Sequence, residues 1–182
     1  MNVGFRAHLY EEVASLSARE RDYDAATDAL QKSIALRTTT PLQSGISGTL
    51  ILLARVQILQ NRLSEAGESS QRANLRLTFP DGRMLDRIVA AQTSGMLLNR
   101  RHDWEAARSI LQSAVEMAKR SSSFSELYMA ALQELITADT HLHLKKEEKG
   151  AKKELRAVEA RLFSACANST VDLADLKSSY AK

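Results

Sequence analysis

The chain has 182 residues, of which 44% are hydrophobic and 26% are charged, with a formal net charge of +3. This near-average composition disfavours disorder. A single cysteine excludes an intramolecular disulfide and a cysteine-based metal site. The most apolar stretch, Ile46–Leu59, is too short for a membrane span. With only two prolines and seven glycines, the chain has room for long helices, and the sequence predicts an all-α fold.

Hydrophobic periodicity predicts a first helix over about Phe5–Arg19. Its apolar face is expected to consist of Phe5, Leu9, Val13 and Leu16. Asp22 or Asp24 is expected to cap a second helix, because a carboxylate can accept hydrogen bonds from the free N–H groups of the first turn. We expect this second helix to end near Arg37.

A capping box at Thr40-Pro41-Leu42-Gln43 predicts the start of a third helix, since Thr supplies the cap oxygen and Pro suits the first helical position. We expect this helix to end near Asn61. Ser64 is expected to cap a fourth helix that reaches about Leu77. The following Phe79-Pro80-Asp81-Gly82 step contains the strongest helix-breaking signal of the chain.

Two further helix pairs are predicted after this break. Asp103 is expected to cap the sixth helix, and a capping box at Ser123-Phe124-Ser125-Glu126 precedes the seventh. Asn168-Ser169-Thr170 is expected to end the eighth. The predicted bounds are about Arg83–Arg100, Trp104–Lys119, Ser125–Lys145 and Lys149–Ala167, followed by a short terminal helix at about 170–181.

Similar apolar runs recur along the chain. They align on Ala26, Ala66, Ala107 and Ala151, at spacings of 40, 41 and 44 residues. A period in this range is typical of stacked helical hairpins, and short loops within each pair make the two helices antiparallel neighbours. We therefore expect one domain over residues 1–182, with hairpins at about 5–38, 41–78, 83–120 and 125–167 and a C-terminal helix at 170–181.

In three of the hairpins, small residues occur where the two helices would cross and near the end of the second helix. They are Ala14 with Ala26 and Ser33, Ala54 with Ala66 and Ala73, and Gly95 with Ala107 and Ala114. A large residue, Tyr23, Leu63 or Trp104, stands just before the second helix. This pattern resembles the tetratricopeptide family of helical hairpin repeats, in a long-period variant. The chain departs from it at Ser70, where a large apolar residue is expected, and at Asp139 and Glu148 in the fourth hairpin.

The resemblance implies a right-handed superhelical array whose first helices line a concave groove. The groove-facing positions implied for this chain include Glu11, Ser15, Ile51 and Ile136, and those expected to bind a ligand are Arg55, Gln92, Met96, Asn99, Arg100, Thr140 and His143. Arg55, Asn99 and Arg100 suit a carboxylate or an acidic peptide, because a guanidinium binds carboxylates through two parallel hydrogen bonds. The alternative that remains open is that these are ordinary solvated residues of a helix face.

Catalytic and metal chemistry have no support in the sequence. His141 and His143 are two residues apart on a predicted helix and point in different directions. Cys166 has no histidine in a recognisable catalytic order, and no glycine-rich phosphate loop or nucleophile elbow occurs. The basic run KKEEKGAKKELR is interleaved with acidic residues, which favours a solvated helix. We therefore expect no catalytic residue, no metal, no cofactor, no direct nucleic-acid binding and no membrane binding.

The sequence thus favours a non-catalytic module that binds a protein or peptide. An acidic protein or peptide is one candidate partner. Such a module would be a scaffold or sensor segment of a larger bacterial signalling or regulatory protein. A small-molecule sensor of a transcription regulator stays open; it would need an enclosed pocket among Ile51, Met96, Leu98 and Ile136. We also expect homodimerisation through an apolar end hairpin. A cytoplasmic location is expected because the N-terminal sequence shows no secretory signal.

Overall fold

The computed structural model describes residues 2–39, 45–77, 84–120 and 125–179, with side chains described to residue 164 in the last range. Within these ranges the chain is all-α, with eight helices and no strand. The helices are α1 Val3–Arg19, α2 Tyr23–Thr38, α3 Ile46–Leu59, α4 Leu63–Leu77, α5 Met84–Arg100, α6 Trp104–Lys119, α7 Ser125–His141 and α8 Lys145–Ser179.

Each helix packs against the next one in the chain. The most extensive contacts are those of α1 with α2, α3 with α4 and α5 with α6, as expected for helix pairs joined by short turns. We refer to α1, α3, α5 and α7 as the first helices and to the others as the second helices. α3 also contacts α5, and α5 contacts α7, so these first helices lie side by side.

The same turn joins the two helices of all four pairs. The central residue of each turn is left-handed, with φ between 58° and 63°, and these residues are Arg21, Asn61, His102 and His143. In the first turn the Asp22 N–H donates to the Ser17 carbonyl oxygen at 2.9 Å, and the other three turns repeat this bond. It is the hydrogen bond of the Schellman motif that ends many helices. Because the left-handed residues are spaced by 40, 41 and 41 positions, they give the four pairs a common register.

This register corrects the predicted alignment of the fourth pair. In the first three pairs, the residue five positions after the left-handed residue is Ala26, Ala66 or Ala107. In the fourth pair that residue is Glu148, and the predicted equivalent Ala151 was wrong. The turn was missed because His143 is followed by no capping Asp or Ser, whereas Asp22 and Asp103 follow Arg21 and His102. His143 takes the left-handed conformation that glycine adopts most easily.

The bounds of the last two helices are corrected in the same way. α7 ends at His141, where the sequence predicted Lys145, and α8 begins at Lys145, where it predicted Lys149. α8 then continues through the predicted break at 168–170 to Ser179, so the separate terminal helix was wrong. Asn, Ser and Thr weaken a helix by only a few tenths of a kcal/mol each, and α8 contains no proline.

The carboxylate caps were predicted correctly. Asp22 accepts a hydrogen bond from the Ala25 N–H at 3.0 Å, and Asp103 accepts one from the Ala106 N–H at 3.3 Å. α4 begins at Leu63, so Ser64 lies inside its first turn and the predicted cap at Ser64 was wrong. The predicted start signals at 40–43 and 123–124, and the break at 79–82, lie outside the described residues.

The apolar row of α1 faces away from the protein interior, which contradicts the predicted orientation of this helix. Phe5, Leu9, Val13 and Leu16 are 54%, 43%, 51% and 58% exposed. α1 packs on α2 through the opposite face, where Ala14 shares a core cluster with Ala26 and Leu30. Small side chains at this crossing let the two helix axes approach closely, so the large residues of α1 remain outside.

The core is divided along the helix interfaces. One cluster joins α1, α2 and α3 around Leu30 and Leu53, and two smaller ones join α3, α4 and α5. The largest joins α5, α6, α7 and α8 around Leu111 and Leu132. Gly95 brings α5 close to α6, since a Cβ atom placed there would lie 2.4 Å from Cγ of Leu111.

Candidate functional site

The packing of α3, α5 and α7 brings three polar residues together, which we call the polar cluster: Arg55, Asn99 and Glu134. Nδ2 of Asn99 donates to Oε2 of Glu134 at 2.9 Å and to its backbone carbonyl oxygen, also at 2.9 Å. Arg55 lies partly buried on α3, and the Glu134 carboxylate is near enough to act on its pKa. Residues from three successive first helices therefore form one group.

Burial dominates the electrostatics of Arg55. Loss of hydration lowers the pKa of its guanidinium, and the negative charge of Glu134 acts in the opposite direction. A guanidinium remains charged even so, because its ordinary pKa is very high. Among the residues that the structure describes, Arg55 makes no direct hydrogen bond or ion pair, whereas Glu134 is held by Asn99. The polar cluster thus contains the partly desolvated guanidinium of Arg55, whose N–H groups donate no hydrogen bond to the described residues.

Two amide oxygens on α5 also lack a partner. Gln92 and Asn99 are each 4% exposed, and their side-chain oxygens accept no hydrogen bond from the described part of the chain. The two residues are seven positions apart and so lie on one face of the helix. A buried acceptor without a partner costs about 1–3 kcal/mol. This face of α5 therefore holds two unsatisfied acceptors.

The other predicted ligand-binding residues lie elsewhere. Met96 is partly buried and packs against the cluster of Ile58 and Leu97. Arg100, Thr140 and His143 are exposed where the first helices end or enter the turn. The structure therefore brings together Arg55 and Asn99 from the predicted set. It adds Glu134, which was missed because only helix packing places it there.

Glu11 was implied to face the groove, but it forms a junction between three helices. Its Oε1 accepts hydrogen bonds from Ser33 Oγ at 3.0 Å, from Arg37 Nε at 3.0 Å, and from the Thr49 hydroxyl. Arg37 Nη2 lies 2.9 Å from the same oxygen. Gly45, with φ of 80°, packs on the Arg37 guanidinium, where a Cβ atom would lie 2.6 Å from Nη1. These contacts assign Glu11 to the structural joint between α1, α2 and α3.

A second polar group lines a cleft of about 450 Å³ between α6, α7 and α8. Asp139 is only 2% exposed, and it accepts a hydrogen bond from Arg108 Nε at 2.7 Å. Glu154 accepts from Lys119 Nζ at 2.7 Å and from the Tyr128 hydroxyl. These two hydrogen bonds lower the pKa of Glu154, whereas burial and the Glu154 carboxylate raise the pKa of Tyr128. In the corrected register Asp139 is equivalent to Ser17, Gln57 and Leu98, so the repeat pattern gave no signal for this group.

Histidines contact the indole ring rather than each other. His141 stacks on Trp104, and His102 meets the same ring edge-on with centroids 5.1 Å apart. In the described ranges no group of His, Cys, Asp and Glu side chains is arranged to hold a metal ion.

No protein-family model, no curated protein and no solved structure matches this chain. The relation to tetratricopeptide repeats therefore depends on the residue pattern alone. Within the described residues, no helix has both the length and the hydropathy needed to cross a bilayer.

Proposed function

We propose that this chain is a non-catalytic binding domain, a tetratricopeptide-like array of helical hairpins that holds an acidic peptide across α3, α5 and α7. The observation that carries the proposal is Arg55, a desolvated cation without a direct partner among the described residues. A carboxylate from an Asp, a Glu or a chain terminus fits the two parallel donors of a guanidinium. An incoming carboxylate would replace part of the hydration that Arg55 has lost.

Asn99 has a positioning role in this proposal. It holds the Glu134 carboxylate with one hydrogen bond and the Glu134 backbone with another, and so fixes where this negative charge lies relative to Arg55. If Glu134 were free to pair with Arg55, it would compete with the carboxylate of a peptide. Loss of Asn99 should therefore weaken binding through Glu134, even though Asn99 need not touch the peptide.

A labelled peptide with alternating Glu and Leu tests the proposal, with a Gln-Leu peptide as its uncharged match. We expect fluorescence anisotropy to show at least about tenfold tighter binding of the acidic peptide, and R55Q to remove that preference, because a charge-assisted hydrogen bond contributes about 1.5–3 kcal/mol. R72Q is the matched control, since Arg72 is exposed on α4. R55E should abolish binding, because it places a second carboxylate near Glu134. Equal affinity of the R55Q variant and the unmodified chain for the acidic peptide would exclude this site.

A small-molecule sensor has less structural support. Ile51 packs in the cluster of Ile46 and Leu50, Met96 packs against another cluster, and Leu98 and Ile136 pack against the cluster around Leu111. These side chains are therefore distributed over three parts of the core. Together with peptide binding, we propose a scaffold or sensor role in a cytoplasmic bacterial signalling protein.

A further inference from the structure

The exposed apolar row of α1 is the surface that the other first helices bury. The common register makes Leu9, Val13 and Leu16 equivalent to Thr49, Leu53 and Val56 of α3. The three residues of α3 are only 1%, 5% and 6% exposed, whereas their equivalents on α1 are 43%, 51% and 58% exposed. Positions that are equivalent in the repeat are therefore buried on α3 and exposed on α1.

The covering element is in each case the second helix of the preceding pair. On α3, Leu53 and Val56 share a core cluster with Leu30 of α2. On α7, the equivalent residues Ala131, Leu135 and Ala138 are buried in one cluster with Leu111 and Val115 of α6. α5 likewise packs on α4. α1 alone among the first helices has no second helix before it in the described structure.

The opposite end of the molecule has a different chemistry. On α8, the residues equivalent to Thr27, Leu30 and Ile34 of α2 are Lys149, Lys152 and Arg156. Lys149, Lys152 and Arg156 are exposed, and burying them against an apolar row would cost several kcal/mol of lost hydration. The α8 helix of a second copy is therefore unsuited to cover the row of α1, and head-to-tail stacking of copies is disfavoured.

We propose that Phe5, Leu9, Val13 and Leu16 form a docking surface for an amphipathic helix of the α2 type, contributed by a partner helical hairpin. The partner helix presents a large aliphatic residue at the position of Leu30 and another four residues later, as α2 does with Ile34. It packs on α1 in the way that α2 packs on α3. The interface would repeat the contacts of α2 with α3, α4 with α5 and α6 with α7. The docking surface on α1 does not include Arg55, so this proposal does not depend on the proposed peptide site.

An extended chain tests the proposal directly. Residues 3–45 are placed before residue 6 of the chain, because Arg6 is equivalent to Ile46 and the added α2 then precedes α1 as the natural one precedes α3. Gly45 of the added segment takes the place of Phe5, so the experiment tests Leu9, Val13 and Leu16. We expect the thermal midpoint to rise by at least about 5 °C, as burial of several apolar side chains implies. In a C166S background, modification of V13C by a maleimide should slow at least about tenfold.

The matched control is the same extension with L30E in the added copy only, which should return the labelling of V13C to the rate of the unextended chain. The proposal is overturned if the extension leaves both the midpoint and the labelling rate unchanged. It is also overturned if the unextended chain forms a dimer in sedimentation equilibrium and dimerisation alone protects V13C, since a second copy would then be the occupant.

Discussion

The indole ring of Trp104 stacks on the imidazole ring of His141, with their centroids 3.9 Å apart and their planes inclined by 5°. The contact joins the end of α7 to the start of α6. Related contacts occur at the two preceding junctions, where Arg101 Nη2 donates to the Leu63 carbonyl oxygen at 2.6 Å and Gln60 Nε2 donates to Asp24 Oδ1 at 2.8 Å. At each junction, a residue near the end of a first helix therefore binds the start of the preceding second helix.

Replacing His141 by Ala should lower the free energy of unfolding by about 0.5–1.5 kcal/mol, the usual contribution of a stacked aromatic pair. A chemical denaturation curve of H141A measures this loss. Q133A, at an exposed position on the same helix, serves as the control and should change stability by less than about 0.5 kcal/mol. If both variants unfold alike, the stacked ring pair does not stabilise the junction.

Replacing Ser70 by Ala should raise stability by about 1 kcal/mol. The Ser70 hydroxyl is buried without a hydrogen-bond partner among the described residues, and removing it relieves an unmet desolvation cost. S33A should have the opposite effect, because the Ser33 hydroxyl donates to Glu11 at 3.0 Å. Thermal unfolding of the two variants compares them directly, and destabilisation by S70A would show that its hydroxyl is satisfied.

Replacing Gly95 by Ala should destabilise the protein by about 1–3 kcal/mol, since the added Cβ would overlap Leu111 and overpack the contact between α5 and α6. At Gly48, where nothing lies within 4 Å of the added atom, the same change should stabilise α3 by up to about 1 kcal/mol through helix propensity. Urea denaturation of G95A and G48A measures both values. If both variants change the free energy of unfolding equally, α5 and α6 lie farther apart than the structure shows.

Glu154 should make stability depend on pH at the acidic end. Hydrogen bonds from Lys119 and Tyr128 lower its pKa in the folded state below 4.5, so the folded state binds this proton less readily than the unfolded chain. Its stabilisation is therefore present above about pH 4.5 and is lost as the pH falls through the folded-state pKa. E154Q should lose this part of the acid dependence. The assignment is contradicted if the free energy of unfolding falls equally with pH in E154Q and in the unmodified chain.

The sequence predicts the features that depend on neighbouring residues. The caps Asp22 and Asp103 are local, because a carboxylate and the N–H groups that it accepts from are within three residues, and both were predicted correctly. The turn at His143 was missed because no capping Asp or Ser follows it in the sequence. Periodicity found the apolar row of α1, but which face is covered depends on the neighbouring helices.

The candidate site shows the same division between local and distant causes. The resemblance to tetratricopeptide repeats implied that Arg55 and Asn99 face one groove, and the structure brings both close to Glu134. Glu134 could not be foreseen, because 35 positions separate it from Asn99 and only the packing of α5 on α7 joins them. Arg100 was expected to join Arg55 and Asn99, but it is exposed at the end of α5.

The division of the core along helix interfaces has a consequence for how the molecule loses its structure. Because each core cluster belongs to a few adjacent helices, the hairpins are coupled mainly to their neighbours, as in a linear chain of interacting units. Cooperativity then depends on the strength of each junction and not on one shared interior. Within the described ranges α1 packs on α2 and reaches α3 through Glu11, so it can open while the cluster around Leu111 and Leu132 remains folded.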